Sequence, residues 1–248
     1  MTANEWVDLT RPLKAGMPVF PGDPEVEIST VLECAVDGVS VSGLRMGSHS
    51  GTHVDAPSHT VPGGRTMDQL QLSELCGEAV VLGFDGLTSD SMIDEDRVSN
   101  LINAADHLPS RVLICTMWDQ LFDDTYAREH HPVLSLEAAK LLWGKGVRLL
   151  GVDTLNPDPS VQKECLRLPN HEVFLGGDGV IVENLTRLQQ LRPASNLGAE
   201  DALGQGQDWF RIVRIGVYPI PLVGADGAPC RVVARVDNSL DRSTGETS

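Results

Sequence analysis

The sequence has little that would tie it to a membrane, a nucleic acid or an oxidising compartment. No apolar run approaches the ~20 residues needed to cross a bilayer. Lysine and arginine number only 19 against 35 acidic residues, and the formal charge of −16 repels phosphate backbones. Neither a membrane nor a nucleic acid is an expected partner. Cysteines are few and scattered (Cys34, Cys76, Cys115, Cys165 and Cys230), and no two form a C-x-x-C pair. A disulfide framework and a cysteine-ligated zinc finger are both disfavoured on that ground. The first residues, MTANEWVDLTRPLK, lack an apolar core, so a cytoplasmic protein without a secretory signal is expected.

The 248 residues contain 24 glycines and 15 prolines, which predicts many turns and short strands, not a helical bundle. Trp6–Thr10 and Gly43–Met46 read as short strands, and the alternation of Glu25–Cys34 as a half-buried one. Gly77–Phe84, Arg111–Thr116, Val147–Val152 and Gly179–Glu183 are apolar enough for buried strands, with Arg211–Val217 and Arg231–Val236 closing the sheet. Asp94 and Ser135 are placed to cap helices over 94–105 and 135–143, and Thr66–Leu70 to begin a short one. Strand–helix–strand order over 111–152 predicts a parallel crossover. No repeat or linker divides the chain, so one domain over 1–237 is expected, followed by a polar, disordered tail over 238–248.

Three of the seven histidines fall within eleven residues, as His49-x3-His53-x-Asp55-x3-His59. The positions are all odd, and in an extended backbone such positions share a face. Gly51 and Pro57 argue against a helix there. Imidazole and carboxylate suit borderline divalent ions such as zinc or manganese, and the lack of nearby cysteine favours an open catalytic site over a closed structural one. His49, His53 and Asp55 supply only three ligands. Candidates for the remainder are His107, His130, His131 and His171; twelve residues after His171 comes Glu183, a charge at the end of an apolar run.

The segment His49-Ser-Gly-Thr-His-Val-Asp-Ala-Pro-Ser-His59 resembles the H-x-G-T-H-x-D-x-P-x-H signature of the cyclase family of metal-dependent hydrolases, which includes bacterial kynurenine formamidase and isatin hydrolase. The resemblance extends to Pro21-Gly22-Asp23, Gly151–Thr154, the His171-to-Glu183 spacing and Val217–Leu222. It implies an α/β fold, a swivelling β/β/α single domain with a mixed sheet, and a homodimer or homotetramer whose sites borrow residues across the interface. It also implies His49, His53, Asp55, His171 and Glu183 as metal ligands to one or two ions, with Glu183 assisting the water and His59 as general acid/base. Phe20 stands where formamidases tend to carry a substrate-packing tryptophan; it can stack but has no indole N–H. The implied reaction is attack of metal-activated water on the C–N amide bond of an aryl formamide or cyclic amide. Hydrolysis of another small ring or ester, and metal binding without catalysis, are the alternatives.

Overall fold

A computed structural model describes residues 5–161, 167–194 and 207–236. The chain begins with β1 (Trp6–Asp8), then a hairpin of β2 (Glu27–Leu32) and β3 (Val41–Arg45) with α1 (Cys34–Asp37) at its tip. The His-rich segment follows and contains β4 (His53–Asp55). Next come α2 (Leu72–Leu75), β5 (Cys76–Gly83), β6 (Met92–Ile93), α3 (Glu95–Ala104), β7 (Arg111–Cys115) and α4 (Thr125–Glu129). The rest is β8 (Val133–Leu134), α5 (Leu136–Gly144), β9 (Leu149–Val152), α6 (Pro169–Phe174), β10 (Val180–Glu183), β11 (Trp209–Pro219) and β12 (Gly227–Arg235).

The main sheet runs β1-β12-β11-β5-β7-β9-β10-β4, and β4 also pairs with β12, so the sheet closes on itself. The parallel run β5-β7-β9-β10 is apolar on both faces because both are covered. Alternation sorts its side chains. Val81, Leu113 and Val182 point into the ring with Val213 and Val232, while Val80, Leu82, Ile114 and Ile181 meet the helices through Leu101, Leu142 and Phe174. The crossover between β7 and β9 is parallel as expected, with α5 in between. Asp94 caps α3 and Ser135 caps α5, accepting from the N–H groups of Arg97 and Ala138. The mixed α/β class expected from the sequence is the one observed. Among the described residues no helix is long and apolar enough to cross a membrane.

Two local expectations need correction. Alternation predicted a half-buried strand over 25–34, but among the described residues β2 and β3 pair only with each other, and almost every residue in them is exposed. The predicted short helix near Thr66 is a single 3-10 turn, Met67–Gln69, held by a reciprocal Thr66/Gln69 capping box. The disordered tail proposed for 238–248 lies outside the described residues.

Candidate metal centre

Strand β4 has only three residues, all buried, and it is gripped from both sides. His53 stands opposite Glu183 on β10 and Pro229 on β12, and Asp55 opposite Ile181 and Gly227. His53 and Asp55 are two apart on a strand, so both project from the face opposite Val54, which packs inside the ring. That outer face is where α6 brings His171. The uniform alternation expected over 49–59 holds for this pair alone. Gly51 turns the chain at φ +64 before β4, delivering His49 from a bend. Pro57 does not exclude helix: it opens a single 3-10 turn, Pro57–His59, in a position where its missing N–H costs nothing, and that turn delivers His59. Thr52 faces away from the site; its hydroxyl donates to the Asn184 carbonyl at 2.7 Å and accepts the Arg11 N–H at 2.8 Å.

Five side chains converge. His53 Nε2 lies 3.2 Å from Asp55 Oδ1 and 3.3 Å from Glu183 Oε2. His171 Nε2 lies 3.5 Å from Asp55 Oδ2 and 3.3 Å from Glu183 Oε1. His49 Nδ1 is 2.7 Å from Asp55 Oδ1. Among the described residues three donor groups result, each with ligand atoms within 4.8 Å of one another: His49/His53/Asp55 and Asp55/His171/Glu183, which share the buried Asp55 carboxylate, and the less buried His49/His59/Asp226, which adjoins them through His49. The Nδ1 atoms of His53 and His171 donate to the Gly51 carbonyl (2.9 Å) and to Asp158 Oδ2 (2.7 Å), which fixes the tautomer and turns each Nε2 lone pair inward. His53 Nε2, Asp55 Oδ2 and Glu183 Oε1 are buried with no aligned hydrogen-bond partner.

Such orphaned acceptors normally cost free energy. The set fits a divalent cation, which accepts nitrogen and carboxylate lone pairs together. The electrostatics agree. Burial opposes the imidazolium of His53, yet Asp55 and Glu183 outweigh it and raise its pKa to about 10. His49 is raised to about 9 against the same burial, chiefly by Asp55. Asp55 is held well below the usual carboxylate range because His49 and His53 overcome its own burial. The negative field of Asp55 and Glu183 that draws protons to these imidazoles favours a cation, which would displace those protons on binding.

Of the other candidates, His107 and His130 pair with Glu78 and Asp90 at the surface, and His131 is buried against the Pro132 carbonyl and Ser160. None reaches the cluster. Phe20 lies on the wall of a cavity of about 200 Å³ whose floor includes His49, His53, His59, His171 and Glu183. Neighbouring Val19 packs on a small satellite core of Met17, Val26 and Phe122, and Leu155 and Leu168 complete the apolar side. Sequence reading missed two carboxylates. Asp158 takes the Nδ1–H of His171; its one signal was an acid between two prolines in Asn156-Pro-Asp-Pro-Ser160. Asp226 meets His49 Nε2 at 3.0 Å and His59 Nδ1 at 3.2 Å, and the Ala225-Asp-Gly-Ala228 segment leading into β12 gave no hint of it.

A closed mixed sheet with a buried histidine–carboxylate centre at its closing strand defines a class of metal-dependent proteins. The chain belongs to the Cyclase family, whose pattern matches residues 7–159. It is 30% identical over 234 residues to a kynurenine formamidase of Geobacillus thermodenitrificans, covering 94% of this chain and 98% of that one. A kynurenine formamidase of Delftia acidovorans is also 30% identical, over 245 residues, covering 95% and 99%. The fold is shared with an isatin hydrolase solved with the product analogue thioisatinate, at TM-score 0.77 and 22% identity, covering 94% and 92%.

Proposed function

We propose that this chain is a metal-dependent hydrolase that cleaves a C–N amide bond of a small molecule, an aryl formamide or a cyclic amide. The observation that carries the reading is the convergence of the orphaned His53 Nε2, Asp55 Oδ2 and Glu183 Oε1 atoms beside a cavity that His53, Glu183 and His59 line. The kynurenine formamidase relatives, aligned over nearly their whole length, support the bond type. His49, His53, Asp55, His171 and Glu183 would hold the ion; nitrogen-rich ligation suits zinc or manganese, and the shared Asp55 carboxylate suits one or two ions. When bound, the ion supplies Lewis acidity and lowers the pKa of a water toward ~7.

The protein's own residues divide the remaining work. Glu183, which lines the cavity, would take a proton from the attacking water. His59 sits beside the ligand set without belonging to its buried core, with ring centroids 4.1 Å from His49 and 5.9 Å from His171. It is the group for protonating the leaving nitrogen. Phe20 and Leu155 offer an aromatic substrate an apolar wall that also excludes water. Free Cys34, Cys76, Cys115 and Cys230 support action in the cytoplasm. The unsupported β2–β3 hairpin exposes Val31 (59%), Leu44 (63%) and Val36 (80%), which supports a homodimer or homotetramer that covers it.

The test combines elemental analysis with two substrate arms. Metal in the purified protein, with formate release from an aryl formamide or ring opening of a cyclic amide, is expected. Full turnover by metal-free protein, or no hydrolysis in either arm, would refute the reading.

A further inference from the structure

Asp226 lies outside the two buried donor groups that share Asp55 and forms a third, less buried group with His49 and His59. Its Oδ2 meets both His49 Nε2 (3.0 Å) and His59 Nδ1 (3.2 Å), while its Oδ1 accepts the Ser48 hydroxyl at 3.0 Å. The backbone is locked as well. The Asp226 carbonyl accepts the Ala56 N–H at 2.9 Å, and the Ala225 carbonyl accepts that of Met67 at 2.9 Å. The next residue, Gly227, pairs with Asp55 across the β12–β4 ladder. A Cβ on Gly227 would stand 2.6 Å from His49 Cε1, so the ring lies where only glycine leaves room. The carboxylate and the glycine together form a cradle for the imidazole.

From this geometry we infer that Asp226 is a positioning residue that fixes the ring nitrogens of two histidines with different tasks. By accepting the Nε2–H of His49 it directs that ring's Nδ1 toward Asp55, whereas His53 and His171 face the same centre through Nε2. By accepting the Nδ1–H of His59 it leaves Nε2 uncommitted among the described residues, as the atom to carry a proton to the leaving nitrogen. One carboxylate thereby couples a metal ligand to the proton carrier, and a displacement of either ring is transmitted to the other. The orienting principle is that of an acid holding a histidine in one tautomer. The catalytic half of the inference rests on the proposed hydrolase reading; the ring assignment does not.

The ring assignment is read directly. Long-range ¹H–¹⁵N correlation spectra of zinc-loaded protein with labelled histidines are expected to show His49 bound through Nδ1 and protonated at Nε2, and His59 protonated at Nδ1. Zinc on His49 Nε2, or a proton on His59 Nε2 with Nδ1 bare, overturns the inference whatever the activity. In Asp226→Ala, with zinc in excess, the His59 signals should lose the single tautomer. Turnover should fall about 10- to 100-fold, with KM changed less than about twofold. Asp226→Asn, which keeps an acceptor oxygen in place, should recover part of both. Zinc loss in Asp226→Ala equal to that of Asp55→Ala would make Asp226 a ligand instead, and unchanged spectra and turnover would make it structural. If wild-type protein hydrolyses no amide offered, the hydrolase reading fails alone, and the ring spectra still decide the role of Asp226.

Discussion

Asp55 is fully buried, within 3.5 Å of three imidazoles, and common to both buried donor groups. Asp55→Ala is expected to empty the site, read as metal content near background in elemental analysis. His59→Ala should do the opposite: metal content stays, and turnover falls by about 10²–10⁴, the usual worth of a positioned acid. The pair of variants separates ligand from proton carrier, because loss of metal in the second would make His59 a ligand. His131 gives a pH prediction away from the centre. Burial lowers its pKa below the ordinary 6.5, and its ring donates Nδ1–H to the Pro132 carbonyl and accepts from Ser160. The unfolded chain therefore binds a proton that the folded chain refuses, and the stabilisation present above about 6.5 is lost as pH falls toward the lowered value. The unfolding midpoint of His131→Gln should depend less on pH between 5 and 7 than that of wild type.

At the level of elements, the long antiparallel strand β11 joins the parallel half of the ring to β12. Its first residue, Trp209, is buried and stands opposite Gly83 at the end of β5. The indole occupies the space where a side chain on Gly83 would be, so even one methyl would overlap it. Gly83→Ala is expected to cost about 1–3 kcal/mol through overpacking, measured by denaturant unfolding, with metal content unchanged. The elements most legible in the sequence were those whose apolar runs are continuous because both faces are covered, such as β5, β7, β9 and β10, and helices with a capping serine or aspartate. Strand β2 was misread because alternation reports a half-buried face only when something covers it, and among the described residues β2 stays almost wholly exposed. The 3-10 turn at His59 was misread because proline forbids the interior of a helix but not its first turn.

For the molecule as a whole, the proposed ion would staple together the closing strand β4, the parallel strand β10 and helix α6. Chelation should therefore lower stability as well as activity, since it leaves Asp55 and Glu183 buried without their cation. An ion at a hundredfold its dissociation constant contributes about 2.7 kcal/mol, which in a chain of this size corresponds to a fall of about 5–10 °C in unfolding temperature on chelation. A chelated protein with unchanged midpoint would show that the fold does not need the site filled.

The sequence by itself determined the chemistry available: a dense cluster of nitrogen and carboxylate donors on a short segment, in a chain without the cysteines, basic patches or apolar spans of other functional classes. Local spacing carries that information because His53 and Asp55 are two apart on one strand. Only the tertiary structure decided which distant groups complete the cluster and how they are aimed. Glu183 reaches His53 through strand register, His171 through the packing of α6, and Asp226 through a backbone bond to Ala56 more than 160 residues away in the chain. No local pattern encodes those meetings, because they arise from closure of the sheet, which brings the end of β10 and the start of β12 to the two sides of β4.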